Sequence, residues 1–215
     1  MDIRTWIRFL LDVRYASVVS PYGLDHSKMT PKEAQANFAW YLEQIPQRMQ
    51  YFRHRCARDL RVPPLLLDYS PESLLPVWRW FLKKARLEKR SREELKAMEE
   101  GAKIFGESWI VRKKLSPATM LMLLDVAMYV GECFVRAHEN LYWDYVKKPK
   151  REVRIHQPAV FGFPDGSFFA PIHMVHVQAV KLYDGEASDR DLYKVFCFWM
   201  KELTQSSATN TDESQ

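Results

Sequence analysis

Glycine is scarce: the 215-residue chain has seven. Phosphate-cradling loops need glycine where the backbone closes on the anion, and neither G-x-x-x-x-G-K-[ST] nor G-x-G-x-x-G occurs. A G-x-S-x-G elbow is also missing. These absences argue against nucleotide-dependent chemistry and serine hydrolysis. Cysteine is sparse too. Cys56, Cys133 and Cys197 lie far apart with no C-x-x-C pair, which excludes a zinc knuckle and predicts free, mostly buried thiols in a reduced compartment. The N-terminal stretch has no uninterrupted apolar run, since Asp2, Arg4, Arg8 and Asp12 break it, so no signal peptide is expected. The most apolar segment, Met120 to Val130, contains Asp125 and is too short to span a bilayer. A cytoplasmic protein with no membrane partner is expected, and no motif implies a cofactor.

What is present is a well-supplied core. Hydrophobic residues make up 47% of the chain, with seven Trp, ten Tyr and twelve Phe, enough at this length to fold without staples. Hydroxyl-then-proline starts at Thr30-Pro31, Ser70-Pro71 and Ser116-Pro117 mark helix N-termini. Glu33 after Thr30 and Glu94 after Ser91 complete capping boxes, and Ser188 with Asp191 suggests another. Apolar residues at helical spacing run through Ile3, Trp6, Ile7, Leu10 and Leu11, then through Phe38, Leu42, Ile45, Met49, Phe52, Cys56 and Leu60, with a kink expected at Pro46. Leu74, Val77, Trp78, Phe81, Leu82 and Ala85 form a third face, which Pro76 would delay. Ser116 to His138 is apolar nearly all round and predicts a buried central helix.

After Leu141 the period changes to two. "LYWDYV" and "REVRIH" read as paired strands joined across Lys147 to Lys150, with Val153 and Ile155 pointing one way. "QPAVFGFPDGSFF" reads as a third extended piece, turning at Pro164-Asp165-Gly166. Helices follow at about 171–182 and 188–203, then a polar tail, 204–215, expected to be disordered. The predicted class is α+β: one mostly helical domain, 1–203, with a small antiparallel hairpin or sheet between the central helix and two C-terminal helices.

The segments "LDYSPESLLPVWRWF", "YVGECFVRAHENLYWDYVKKPKREV" and "QPAVFGF" together resemble a family of uncharacterised bacterial proteins, in the same order over about 30–199. That resemblance implies no activity. The build of a small, helical, cytoplasmic chain is similar in style to immunity proteins of bacterial toxin systems.

Several candidate sites emerge. Cys133 and His138 are about 140° apart around a helix, so they do not form a nucleophilic dyad and Cys133 reads as core. Asp125, Glu132 and Arg136 share one side of the central helix, either as structural ion pairs or as a polar cleft. Asp125 and Glu132 would be about 10 Å apart along the axis, too far to share a metal. His173 and His176 in "HMVH" have the spacing for one ion but lack a third ligand, so they are weak metal candidates. Lys147, Lys148, Lys150, Arg151 and Arg154 set five cations against Glu152, with Trp143 and Tyr145 just before them. That hairpin reads either as a solvated tip or as a contact surface for an acidic partner. Arg48, Arg53, Arg55, Arg58 and Arg61, against Asp59, form a second basic set, most of which is expected to be a wet helix face.

The leading expectation is a non-enzymatic interaction protein that binds a protein partner through the basic hairpin, as an immunity or inhibitor protein would. Nucleic-acid binding by the same patch is the alternative, and a metal-dependent enzyme around Glu132 or the histidine pair is the third.

Overall fold

The structure, a computed structural model, describes residues 20–23, 25–106, 110–149 and 151–212, without side chains at 105 and 204–212. The apolar face from Ile3 to Leu11 and the cation Lys150 lie outside the described residues.

The first helix, α1 (Pro31–Leu60), starts where the capping box predicts. Thr30 Oγ1 accepts from the Glu33 amide, and the Glu33 carboxylate accepts from the Thr30 amide. It ends at Arg61, which adopts a left-handed conformation. Pro46 sits inside it on the exposed side. Tyr41, Ile45, Met49, Phe52 and Cys56 face inward, whereas Leu42, expected on that face, is exposed.

A short 3₁₀ turn, Pro71–Ser73, leads into α2 (Leu74–Lys84). Pro76 does not delay this helix. It lies in the first turn, where the backbone N–H has no intrahelical acceptor to lose. Next comes a small ribbon the periodicity did not reveal: β1 (Leu87–Lys89) pairs antiparallel with β2 (Lys113–Leu115), bracketing α3 (Arg92–Phe105). Three residues per strand are too few to imprint a period of two. Ser91 and Glu94 form the predicted capping box on α3.

The central helix, α4 (Pro117–Ala137), is buried along most of its length, and Ser116 caps it by accepting from the Thr119 amide. Its 21 residues are long and apolar enough to cross a bilayer, but 72% of that apolar window is buried inside the fold, as in a core helix. Phe52 and Trp80 meet edge to face, Trp78 stacks on Phe81, and Phe134 contacts Phe163, Phe169 and Phe196. Each such side chain, fully withdrawn from water, stabilises the fold by about 1.5–3 kcal/mol.

The late sheet is present, but its pairing differs from the expectation. β3 (Tyr142–Tyr145) pairs with β4 (Pro158–Phe161), not with "REVRIH". Val146 and His156–Gln157 close the ladder, so 147–149 and 151–155 belong to the connecting loop. The "REVRIH" segment folds into successive turns, in which Glu152 N–H donates to Pro149 O and Ile155 N–H to Glu152 O. Val153 is 85% exposed while Ile155 is buried, so the two do not share a face. The Glu152 carboxylate accounts for the change: it accepts from the backbone and side chain of Arg154, a local bond that competes with a strand ladder. After β4 the chain turns at Pro164–Gly166 and Phe169 bridges back to Val160.

Helix α5 (Pro171–Val180) runs into a 3₁₀ turn, and α6 (Asp191–Asp212) packs across α2 and α5. Ser188 and Asp191 make half of the expected box: the Asp191 carboxylate accepts from the Ser188 amide. The tail expectation over 204–215 falls on residues whose side chains lie outside the described set. The mostly helical α+β architecture, with its small antiparallel sheet between the central and C-terminal helices, is as the sequence predicts.

Candidate functional site

The polar row on α4 divides into two separate sites. Asp125 is bound bidentately by Arg48 of α1, and both side chains are 6% exposed. Arg48 therefore leaves the wet face expected for the second basic set and becomes an interhelical tie. Two turns on, Glu132 accepts from Arg136 at 3.1 Å and from the indole N–H of Trp143 at 2.9 Å. Trp143 reaches that carboxylate because Gly131 has no side chain; a methyl built there would overlap the indole ring. The same indole meets the Tyr41 ring edge-on at 5.4 Å. Trp143, expected as a surface anchor, thus points inward, and Glu132 lies under it instead of lining a cleft shared with Asp125. Beyond it the Arg136 guanidinium lies over the Tyr69 ring at 4.0 Å, with Arg53 also over that ring at 5.1 Å.

The thiols of α1 and α4 are buried. Burial pushes both Cys56 and Cys133 well above the ordinary thiol range, so neither offers a thiolate near neutrality. Cys197 is free and exposed, so two of the three thiols are buried, in keeping with the expectation of mostly buried thiols. His138 turns away from Cys133, accepting from the Asn140 amide. His173 is exposed and His176 half-buried on α5. Burial holds both below the usual imidazole range, helped by Arg154 at His173 and by His173 itself at His176. Among the described residues no group of three ligating side chains gathers around them.

The basic loop is assembled differently. Lys147 pairs with Asp144 at 2.8 Å and lies over the Tyr145 ring, and Tyr145 packs near Phe38 of α1. Arg154 grips Glu152 at 2.7 and 3.0 Å while its guanidinium covers Phe168 at 4.6 Å. These bonds hold the Glu152 carboxyl far below its usual range, at about 2. Val146, Ile155 and Ala159 make a small core of their own beneath the loop, with Phe161 and Phe168 at its edge. Lys148 and Arg151 are exposed, and none of the ion pairs among the described residues engages them. Val153 stands between them and Arg154 as the most exposed large apolar side chain of the described residues. Phe161 stacks between Tyr142 and Phe168, a line of rings along the outer side of the sheet.

A second feature escaped the sequence reading. Asn37, Tyr41, Gln44 and Arg48 of α1, Asp125 of α4, and Ser20 and His26 line a cavity of about 60 Å³ together with apolar side chains such as Trp40, Leu124 and Ile172. The signal was available: Ala34, Asn37, Tyr41 and Arg48 follow helical spacing on the inward face of α1, and a polar amide on such a stripe is unusual.

No family model, curated protein or solved structure matches the chain.

Proposed function

We propose that the chain is an interaction protein that engages an acidic surface of a protein partner through the loop between β3 and β4, as an immunity or inhibitor protein would. The observation that carries this reading is Val153, 85% exposed between cations on a loop whose own bonds fix its shape. An exposed aliphatic side chain flanked by charged residues is the kind of group that protein interfaces use as an anchor. Lys148 and Arg151 supply the steering charge. A preset loop also loses little freedom on docking. Nucleic acid fits less well: Val153 has no face on which a base stacks, and the one Trp of this region is committed to Glu132.

The test is capture from the native host with tagged wild type and with Lys148→Glu/Arg151→Glu and Val153→Asp variants, each with and without nuclease. A stoichiometric protein that survives nuclease, and that both variants lose, is the expected outcome. The thermal midpoints should stay close to wild type, since exposed substitutions of this kind shift stability by about 0.5 kcal/mol or less. Recovery that nuclease abolishes, and that collapses between about 50 and 200 mM salt, would assign the loop to nucleic acid instead.

A further inference from the structure

The cavity between the turn after β4 and the middle of α6 supports an inference independent of the loop. It measures about 290 Å³, near the lower end of the roughly 300–1,000 Å³ of small-ligand clefts. Phe163, Pro164, Asp165 and Ser167 line it from the turn, and Phe198, Trp199 and Glu202 from α6. Three of these seven are aromatic. Phe163 and Trp199 meet edge-on at 5.0 Å, and Phe169 holds the same indole at 5.3 Å, so this wall is fixed by core packing. Phe198 is 62% exposed, a large ring left in water one helical turn from Glu202. The charged lining is of one sign. Asp165 and Glu202 are both exposed, and none of the ion pairs among the described residues engages either. Asp165 accepts from the Ser167 amide at 2.9 Å, which seats its carboxylate on the turn.

We infer that this cavity is a binding site for a small alkylated ammonium ion, its alkyl groups against Phe163, Phe198 and Trp199 and its charge facing Asp165 and Glu202. Aromatic rings attract such cations through their electron-rich faces, tryptophan most strongly. Carboxylates ionised in neutral solution add to that attraction and repel anions. Hydrogen bonds from Ser167 hold the Asp165 carboxyl below its usual range, which keeps that charge in place. A bare metal ion fits the lining poorly, since hard cations take six or more oxygens and the three rings supply none. None of these residues belongs to the loop proposed above, and the inference does not rest on that proposal.

Choline is the probe, with 3,3-dimethylbutan-1-ol, which has the same shape with carbon in place of the charged nitrogen, as its neutral counterpart. Each is titrated into the full chain and followed by amide shifts and the Trp199 indole N–H shift. Expected for choline are saturable shifts at 163–167 and 198–202 with a dissociation constant in the millimolar range, as such a small ligand allows. The alcohol should bind at least about tenfold more weakly, having lost the attraction of rings and carboxylates together. Phosphocholine, which brings an anion towards Asp165 and Glu202, should bind at least about fivefold more weakly than choline; this arm separates a free cation from a lipid headgroup. The exposed double change Asp165→Asn/Glu202→Gln should weaken choline about tenfold and leave the alcohol as in wild type, a split that mere damage to the cavity would not produce. Phe198→Ala should weaken choline about threefold. Absence of saturation, equal binding of the alcohol or of phosphocholine, or wild-type choline affinity in the folded double variant would each overturn the assignment.

Discussion

Two arginine–carboxylate pairs define the extremes of this molecule. Arg48–Asp125 ties α1 to the central helix with both side chains 6% exposed. Arg154–Glu152 lies within the β3–β4 loop, two residues apart in sequence, with the partners 30% and 16% exposed. The chemistry is the same, and burial sets what each pair does. Two charges deep in the core have lost their water, so removing one takes from the other a large part of what offsets its burial. At the surface, water takes over whatever the partner releases, so the bond shapes a loop without holding up the fold. The buried pair belongs to architecture and the half-buried pair to presentation.

The sharpest way to break that contrast is Arg48→Met. Asp125 would remain on α4 without its guanidinium, and the expected loss is about 3–5 kcal/mol in a urea titration. Adding Asp125→Leu should restore most of it, because an apolar pair of similar volume carries no desolvation cost. A single variant within about 1 kcal/mol of wild type would mean that water reaches the pair and that it is no core element. Gly131→Ala comes next. The added methyl must displace the Trp143 indole, an overpacking cost of about 1–3 kcal/mol. Freed from the Glu132 carboxylate, the indole should also show red-shifted emission.

Glu132→Gln sits between the two extremes. Glu132 is nearly buried but its partner Arg136 is 56% exposed. A glutamine still accepts from the Trp143 indole, so only the charged bond to Arg136 is lost. About 1 kcal/mol is expected, well short of the Arg48 effect. A loss equal to that of Arg48→Met would show that the Arg136 side is sealed as tightly as the Asp125 side.

The sequence disclosed what repeats and hid what is made across long separations. Helix starts were legible because a cap needs only a hydroxyl and an acid three residues on, as at Thr30–Glu33 and Ser91–Glu94. The central helix was legible because no polar face interrupts it apart from Asp125, Glu132 and Arg136. Strand pairing was not, because "REVRIH" alternates well enough to pass as a strand, and only the Glu152–Arg154 bond, a side-chain event, turns it into a loop. Among the site residues, the polar row on α4 was readable from spacing. The partner of Asp125 was not, since Arg48 lies 77 residues away and reads locally as one more cation in a basic run. Trp143 was misleading for the same reason: beside lysines it looks like a surface ring, and the gap that draws it inward comes from Gly131 on another element.

The smallest effect belongs to the half-buried loop pair and is local. Arg154 holds the Glu152 carboxyl at about 2 in the fold, against an ordinary value of 4.5. A carboxylate depressed on folding stabilises wherever it is ionised in both states, so its contribution is complete above about pH 4.5 and fades as pH falls towards 2. Amide shifts of 151–157 should therefore follow one titration with a midpoint near 2, while those of α4 stay unmoved by it. Glu152→Gln should bring the loop, already at pH 6, to the arrangement wild type reaches only in acid, with little change in the thermal midpoint. A loop midpoint near 4.5 would mean that Arg154 does not hold the carboxylate in solution. Val153 would then be carried on a segment that pays its ordering cost only on meeting a partner, and the loop's value as a preset contact would be lost even with the core pair intact.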